Sequence, residues 1–365
     1  MIKSIKILPN KLQVLFNNKK KDDFLNIWLR DHAKDELNWD CRSHQRKTFT
    51  ANINPNLRIK KAVIKDNGKS IDILWSDLKK PINYSKEFLE KNIINLKKSK
   101  SLVNLWKAKE INKKVYIDFN DAVSKNGFKK LLKNIHSYGF SVITNCQRNL
   151  GSVEKITKKI GYVRQSIFGG LWSFESNKDM ADSAYTQDEL RPHTDSTYSY
   201  DAPGLQLLLC SKYIAEGGES ILVDGFKIAD EIKKKNKELF KILSSVEVKG
   251  QYLGDGVLLE AERPVLKLNS KNELIQVSFN NYDRAPFRLE NKLTLKFYES
   301  IRKFDKLVND KKYQWRHILK PGELLIFNNW RILHGRGSFT GTRKMLGCYI
   351  NKEDFDSSCK INNIY

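Results

Sequence analysis

From residue 165 onward the chain is written in short apolar runs separated by turns that carry glycine or asparagine. They read GLQLLLC (204–210), ESILVDG (219–225), VEVKGQYL (246–253), RPVLKL (263–268), LIQVSF (274–279), ELLIFNNWRILHG (323–335) and KMLGCYI (344–350). Runs this short are strands, and each strand needs neighbours to satisfy its backbone donors and acceptors. Two helical segments interrupt the series, around 227–242 and 293–309. Many short strands with turn signals between them fold as a double-sheet jelly roll or a barrel. A βαβ alternation would need a helix after each strand, which is absent, and no glycine-rich nucleotide fingerprint precedes either helix. The expected class is mainly β with flanking helices.

The first hundred residues are β-rich in a different way. AVIKDNGKSIDILW alternates apolar and polar residues on both sides of Asn67-Gly68, a strong hairpin signal. The lysine-rich stretch NLKKSKSLVNLWKAKEINKK reads as a connector, so a small β-rich domain is expected over 1–100 and a jelly-roll domain over 101–365. NDAVSKNGFKKLLKNIHSYG reads as one amphipathic helix, capped by Asn120 or Asp121 and stopped by Gly139, with FSVITNC as the next strand.

Charge does not set the function class. The net charge is +24, from 66 basic and 42 acidic residues. The lysines are scattered beside asparagine and isoleucine rather than gathered on one arm, so a nucleic-acid partner is not expected. Five cysteines stand at wide, unpatterned spacings with no CxxC pair, which indicates neither a disulfide framework nor a zinc ribbon. No apolar run is long enough for a membrane span, and the basic N-terminus lacks a signal peptide's apolar core. A cytoplasmic location is expected.

Within ELRPHTDSTY (189–198), His193 and Asp195 are two residues apart. In a strand they would share a face and could close on one ion, with Thr194 pointing away. Chance alone supplies roughly 0.7 such pairs in a chain of this composition, so the spacing by itself is weak evidence. His32 and His44 lie in the N-terminal domain, His136 ends a helix and His317 sits beside a turn. His334 differs: it follows a Pro-Gly turn and an apolar strand, lies near glycines, and precedes Arg343 by nine residues. Two histidines and a carboxylate on one face of an octahedral ion form the pattern of non-haem Fe(II) oxygenases. Arg343 offers a fork that matches a carboxylate, with a surface salt bridge as the plain alternative.

HTD at 193–195, GG at 217–218, VDGF at 223–226, NNYDRA at 280–285 and NWRILHGR…FTGTRKMLGCY at 329–349 resemble the 2-oxoglutarate-dependent γ-butyrobetaine/trimethyllysine hydroxylase family. The resemblance covers nearly the whole chain, including WLRDHAKDELNWDCRSHQR at 28–46. It implies a double-stranded β-helix in which His193, Asp195 and His334 ligate Fe(II). It also implies that Arg343 pairs with the distal carboxylate of 2-oxoglutarate, that O2 is the oxidant and ascorbate the reductant, and that the protein is a homodimer. Many relatives hold zinc in the small domain. Here Ala33 stands where the first cysteine would fall and only Cys41 is near, so no zinc is expected.

The resemblance further implies a box of aromatic rings for a trimethylammonium substrate, built from Phe168, Trp172, Tyr185 and Tyr349, with Phe168 where a tyrosine is usual. Core packing is the plain alternative for any one of these rings. Asp182 would repel a bare carboxylate and pair with an α-ammonium, and Asn281 is the candidate for the substrate carboxylate. Asp182 and the NNYDRA stretch favour the trimethyllysine branch, with hydroxylation at C3 and release of succinate and CO2. The alternatives are γ-butyrobetaine hydroxylation to carnitine, a basic nucleic-acid-binding scaffold, and a silent sensor of methylated amines.

Overall fold

The computed structural model describes residues 1–94, 102–175, 186–254 and 256–365. The chain divides into two units, Met1–Lys100 and Ser101–Tyr365.

The first unit holds two three-stranded antiparallel sheets, Ile2–Leu8, Lys11–Phe16 and Lys21–Leu25 in one, and Ile59–Lys65, Ser70–Trp75 and Ile82–Ser85 in the other. The hairpin read at Asn67-Gly68 forms, with Ala62 opposite Ile73 and Lys65 opposite Ser70. Alternate residues of these strands, Leu12, Val14 and Phe16 among them, are buried with Leu29, Trp75 and Tyr84. Ala33 is buried in this core and Cys41 is exposed.

The second unit carries the strands β1 (Tyr116–Asp118), β2 (Phe140–Thr144), β3 (Val163–Arg164), β4 (Trp172–Glu175), β5 (Leu190–His193), β6 (Leu205–Gly217), β7 (Ser220–Asp224), β8 (Gln314–His317), β9 (Leu324–Asn328), β10 (Ile332–Arg336) and β11 (Phe339–Ile350). The larger sheet runs β3-β11-β6-β9-β2-β1 with β4 also paired to β11, and the smaller runs β5-β10-β7-β8. All these pairings are antiparallel except β1 with β2. From β5 to β7 and again from β9 to β11 the chain switches sheet at each connection. This alternation is the jelly roll expected from the sequence.

Three local readings change. ELLIFNNWRILHG is not one strand but two, β9 in the larger sheet and β10 in the smaller, joined by the turn at Asn328–Arg331, where the Arg331 N–H donates to the Asn328 carbonyl. The helix expected over 120–139 is two helices, Phe119–Val123 and Lys125–Tyr138, because the Ser124 hydroxyl caps the second by accepting from the Gly127 N–H. The segment 227–242 likewise breaks at Asn236, which caps Lys237–Ser245 after Gly225–Lys235 ends.

Period-two alternation sorts the larger sheet into two faces. Leu205, Leu207, Leu209, Leu324, Ile326, Leu346, Cys348 and Ile350 pack against helices including Leu150–Ile160. Phe140, Val142, Leu325, Phe327 and Met345 point the other way and meet Leu222 and Ile332 of the smaller sheet. The space between the sheets is thus filled at one end by apolar side chains. At the other end it opens as a cleft of about 950 Å³.

Candidate active site

The cleft is lined by His193, Asp195 and Ser196 after β5, by Gln206 and Leu208 of β6, by His334 and Arg336 of β10, and by Arg343, Met345 and Tyr349 of β11. Asn280, Tyr282 and Asp283 close it from the segment that follows Leu274–Val277. The residues Arg343, Met345, Gly347 and Tyr349 are successive odd positions of one strand, so they share its inner face.

His193 stands directly opposite His334 in the β5–β10 register, with ring centroids 4.5 Å apart. Asp195 lies two residues past His193 but beyond the end of β5, so strand alternation alone does not aim it. Thr194 turns away as expected: its hydroxyl accepts from the Phe279 N–H at 2.9 Å and its own N–H donates to the Phe279 carbonyl. Asn329 then fixes the Asp195 backbone. Its Oδ1 accepts from the Asp195 N–H at 2.8 Å, and its Nδ2 donates to the Asp195 carbonyl at 3.2 Å and the Pro203 carbonyl at 3.1 Å.

Both histidine Nε2 atoms converge on the same carboxylate oxygen, Oδ1 of Asp195, at 3.4 Å from His193 and 3.5 Å from His334. The other oxygen, Oδ2, accepts from the Tyr349 hydroxyl at 2.8 Å. His193 Nδ1 lies 2.8 Å from the Arg191 carbonyl. A carbonyl only accepts, so Nδ1 carries the proton and the Nε2 lone pair faces the cleft. The three donor atoms lie within 4.8 Å of one another. Neutral imidazole nitrogens with a single carboxylate oxygen suit a divalent first-row ion and leave coordination positions open. The residues present therefore fit Fe(II).

The charges are strongly coupled. Burial opposes the charge of Asp195, yet His334, His193 and the Tyr349 hydroxyl together hold its carboxyl down to about 2. Burial lowers His334 to about 4, whereas Asp195 overcomes burial at His193 and raises it. Burial also lifts Asp283 to about 7, with Asp195 adding to the rise and His193 opposing it. Arg343 is depressed by burial, and among the described residues no carboxylate pairs with it. Arg336 is depressed to about 10, stacks over Phe339 at 5.0 Å and donates to the Asp188 carbonyl.

The aromatic candidates divide. Phe168 lines the cleft and meets Phe174 edge-on at 5.3 Å, and Tyr349 lines it too. Trp172 stands opposite Gly347 on the same strand face as Phe174 and is buried among these rings, 4.4 Å from Phe174 and 5.7 Å from Tyr349 between ring centroids, while Phe174 is the β4 ring that lines the open cleft. Gly347 makes room for it: a Cβ there would stand 2.4 Å from the Trp172 ring, so the ring sinks into the space a side chain would fill. Asp182 and Tyr185 lie outside the described residues.

Asn281 does not reach the cleft. Asn280 Oδ1 accepts from the Tyr282 N–H at 2.9 Å, a local turn that brings Asn280, Tyr282 and Asp283 to the cleft lining while Asn281 is exposed outside it. Phe174, Tyr198, Asp283 and Asn329 are site residues that the motif reading passed over. Tyr198 and Asp283 fall inside the quoted stretches HTDSTY and NNYDRA, but nothing in their spacing distinguishes wall from exterior.

A jelly roll whose open end gathers two imidazoles and a carboxylate is, as a class, an oxygenase scaffold for a redox-active divalent metal. Residues 98–349 match the family described as taurine catabolism dioxygenase TauD, TfdA family. The chain is 32% identical over 357 residues to the mitochondrial trimethyllysine dioxygenase of Bos taurus, covering 94% of this chain and 83% of that one. The corresponding human protein is 32% identical, with 92% and 82% covered. Human gamma-butyrobetaine dioxygenase is 27% identical, with 93% and 91% covered. Among solved structures, AAD-2 in complex with Mn(II) and N-oxalylglycine superposes with a TM-score of 0.50 at 12% identity, over 64% of this chain and 92% of that one. The chain belongs to the TauD, TfdA dioxygenase family, and it is a 2-oxoglutarate-dependent dioxygenase.

Proposed function

We propose that the protein hydroxylates Nε-trimethyllysine at C3, using Fe(II), O2 and 2-oxoglutarate, with ascorbate keeping the iron reduced. One observation carries this reading. The same cleft holds a three-residue metal centre, an arginine with no carboxylate partner among the described residues, and a wall of aromatic rings. Those are the recognition elements for a divalent metal, a dicarboxylate and a quaternary ammonium. The relatives named trimethyllysine dioxygenase stand at 32% identity and the one named gamma-butyrobetaine dioxygenase at 27%, which favours the longer amino acid.

The residues divide the work. His193, His334 and Oδ1 of Asp195 would hold the iron, which supplies the activation of O2 that oxidises an unactivated C–H while 2-oxoglutarate becomes succinate and CO2. Tyr349 occupies Oδ2 of Asp195, so one carboxylate oxygen alone faces the metal position. Arg343 receives the far carboxylate of 2-oxoglutarate through a bidentate pair. Phe168, Phe174 and Tyr349 present ring faces and edges to a trimethylammonium group, which no hydrogen bond can hold. Leu190, Leu208 and Met345 keep the reacting end dry. Anchoring both ends of the substrate selects one carbon among chemically similar methylenes.

Competition turnover tests the reading. Purified protein with Fe(II), ascorbate and 2-oxoglutarate receives equal trimethyllysine and γ-butyrobetaine, and products are identified by mass spectrometry. Hydroxytrimethyllysine as the dominant product supports the reading. Carnitine as the dominant product would replace the substrate while leaving the metal centre and family unchanged.

A further inference from the structure

Asp283 brings into the cleft a carboxylate that neither the metal centre nor the co-substrate arginine uses. Among the described residues lining the cleft only Asp195 and Asp283 are acidic, and Asp195 is committed to the triad. Asp283 Oδ2 accepts from the Thr197 hydroxyl at 3.2 Å, and no lysine or arginine among the described residues pairs with it. Its backbone is anchored as well: the Asp283 carbonyl accepts from the Gln251 N–H at 2.8 Å, and the Ala285 N–H donates to the Lys249 carbonyl at 2.9 Å. A largely buried carboxylate without a counter-cation is unfavourable, and a cationic ligand would offset that cost.

The surroundings decide which cation. Thr197, Asn280 and Tyr282 beside Asp283 are hydrogen-bonding groups, whereas the rings Phe168, Phe174 and Tyr349 belong to the β4 and β11 side of the cleft. A quaternary ammonium has no N–H and suits the rings, while a primary ammonium has three donors and suits a carboxylate set among hydroxyls and an amide. We propose that Asp283 binds the α-ammonium of the substrate and so selects an α-amino acid over its deaminated counterpart. The inference rests on the trimethylated amino-acid substrate proposed above. Asp182, the candidate that the sequence offers for this role, lies outside the described residues, so Asp283 is the carboxylate whose place in the cleft is defined.

Binding can be read without turnover. Protein loaded with Mn(II) and 2-oxoglutarate is titrated calorimetrically with trimethyllysine and with 6-(trimethylammonio)hexanoate, which lacks only the α-amino group. Wild-type protein should bind trimethyllysine about 10- to 100-fold more tightly than the analogue, the range of a charge-assisted hydrogen bond. Asp283→Asn should remove most of that preference, weakening trimethyllysine by about the same factor and the analogue by less than about threefold. Equal affinities in the wild type would overturn the inference without any variant, whatever the folding of Asp283→Asn. Equal weakening of both ligands, or a loss of Mn(II) affinity in the variant, would also overturn it, because Asp283 would then act on the metal centre. Failure of the wild type to bind either cation would instead overturn the substrate reading on which it rests.

Discussion

The Tyr349 hydroxyl donates to Oδ2 of Asp195 at 2.8 Å, while both histidine Nε2 atoms face Oδ1. One phenol therefore does two things: its ring stands in the cleft wall, and its oxygen determines which carboxylate oxygen is left for the metal. Tyr349→Phe separates them. It should lower Mn(II) affinity by about 10-fold or more, as removal of a group that orients a metal ligand commonly does. Binding of a trimethylammonium ligand to the metal-saturated variant should change little. Metal titration followed by ligand calorimetry checks both halves.

Asn329 reaches Asp195 from the other side, through its backbone. Two hydrogen bonds between its buried amide and the Asp195 backbone, and a third to the Pro203 carbonyl, hold Asp195 just beyond the end of β5. Asn329→Ala leaves those groups unpaired in the interior, at a cost of roughly 3 kcal/mol in unfolding free energy. It should also weaken Mn(II) binding in molecules that remain folded. Denaturant unfolding with a parallel metal titration measures the two effects.

The turn that carries Asn329 is itself pinned by a buried ion pair. Arg331 Nε and Nη2 donate to the two oxygens of Asp224 at 3.0 and 2.8 Å, and its remaining donors reach the Ser137 and Asn104 carbonyls. Both side chains are almost wholly buried. Arg331→Met leaves an uncompensated carboxylate and should destabilise the protein by about 3–5 kcal/mol. Adding Asp224→Asn to that variant should recover part of the loss. Unfolding curves of both single variants and the double variant give the coupling.

Much of this was legible in the sequence, and the reasons are specific. The strand series and its turns carried the jelly roll because alternation and turn chemistry are local signals. His193, Asp195, His334 and Arg343 fall in ordered motifs, and the structure brings all four to one cleft. What sequence did not show was sidedness. NNWR turns the chain from one sheet to the other, yet the apolar residues on both sides of it read as one strand. Asn281 belongs to the same motif as its neighbours, but the turn at Asn280 brings Asn280, Tyr282 and Asp283 to the cleft instead. Trp172 shares the inner face with Phe174 and Tyr349, and nothing in the spacing shows that its ring is buried over Gly347 rather than open to the cleft.

Asp283 gives a pH signature. Its carboxyl, ordinarily near 4, is lifted by burial to about 7 in the folded protein. A raised folded-state value contributes stability that is fully present below the unfolded value and lost as pH rises through the folded one. The window therefore runs from about pH 4 to about pH 7. Asparagine does not titrate there, so the stability of metal-free wild type relative to Asp283→Asn should fall between about pH 5 and about pH 8. Calorimetric melting of the two proteins at both pH values checks it. A constant difference would contradict burial of an ionisable group at this position.

The most direct measurement quantifies succinate and hydroxylated trimethyllysine together, in the wild type and in His334→Ala, with trimethyllysine as the sole amino-acid substrate. The account predicts equal amounts of the two products in the wild type, and loss of both by about a thousandfold or more in the variant. Hydroxylation that survives in His334→Ala, or a wild type that forms no hydroxylated product from trimethyllysine, would contradict it.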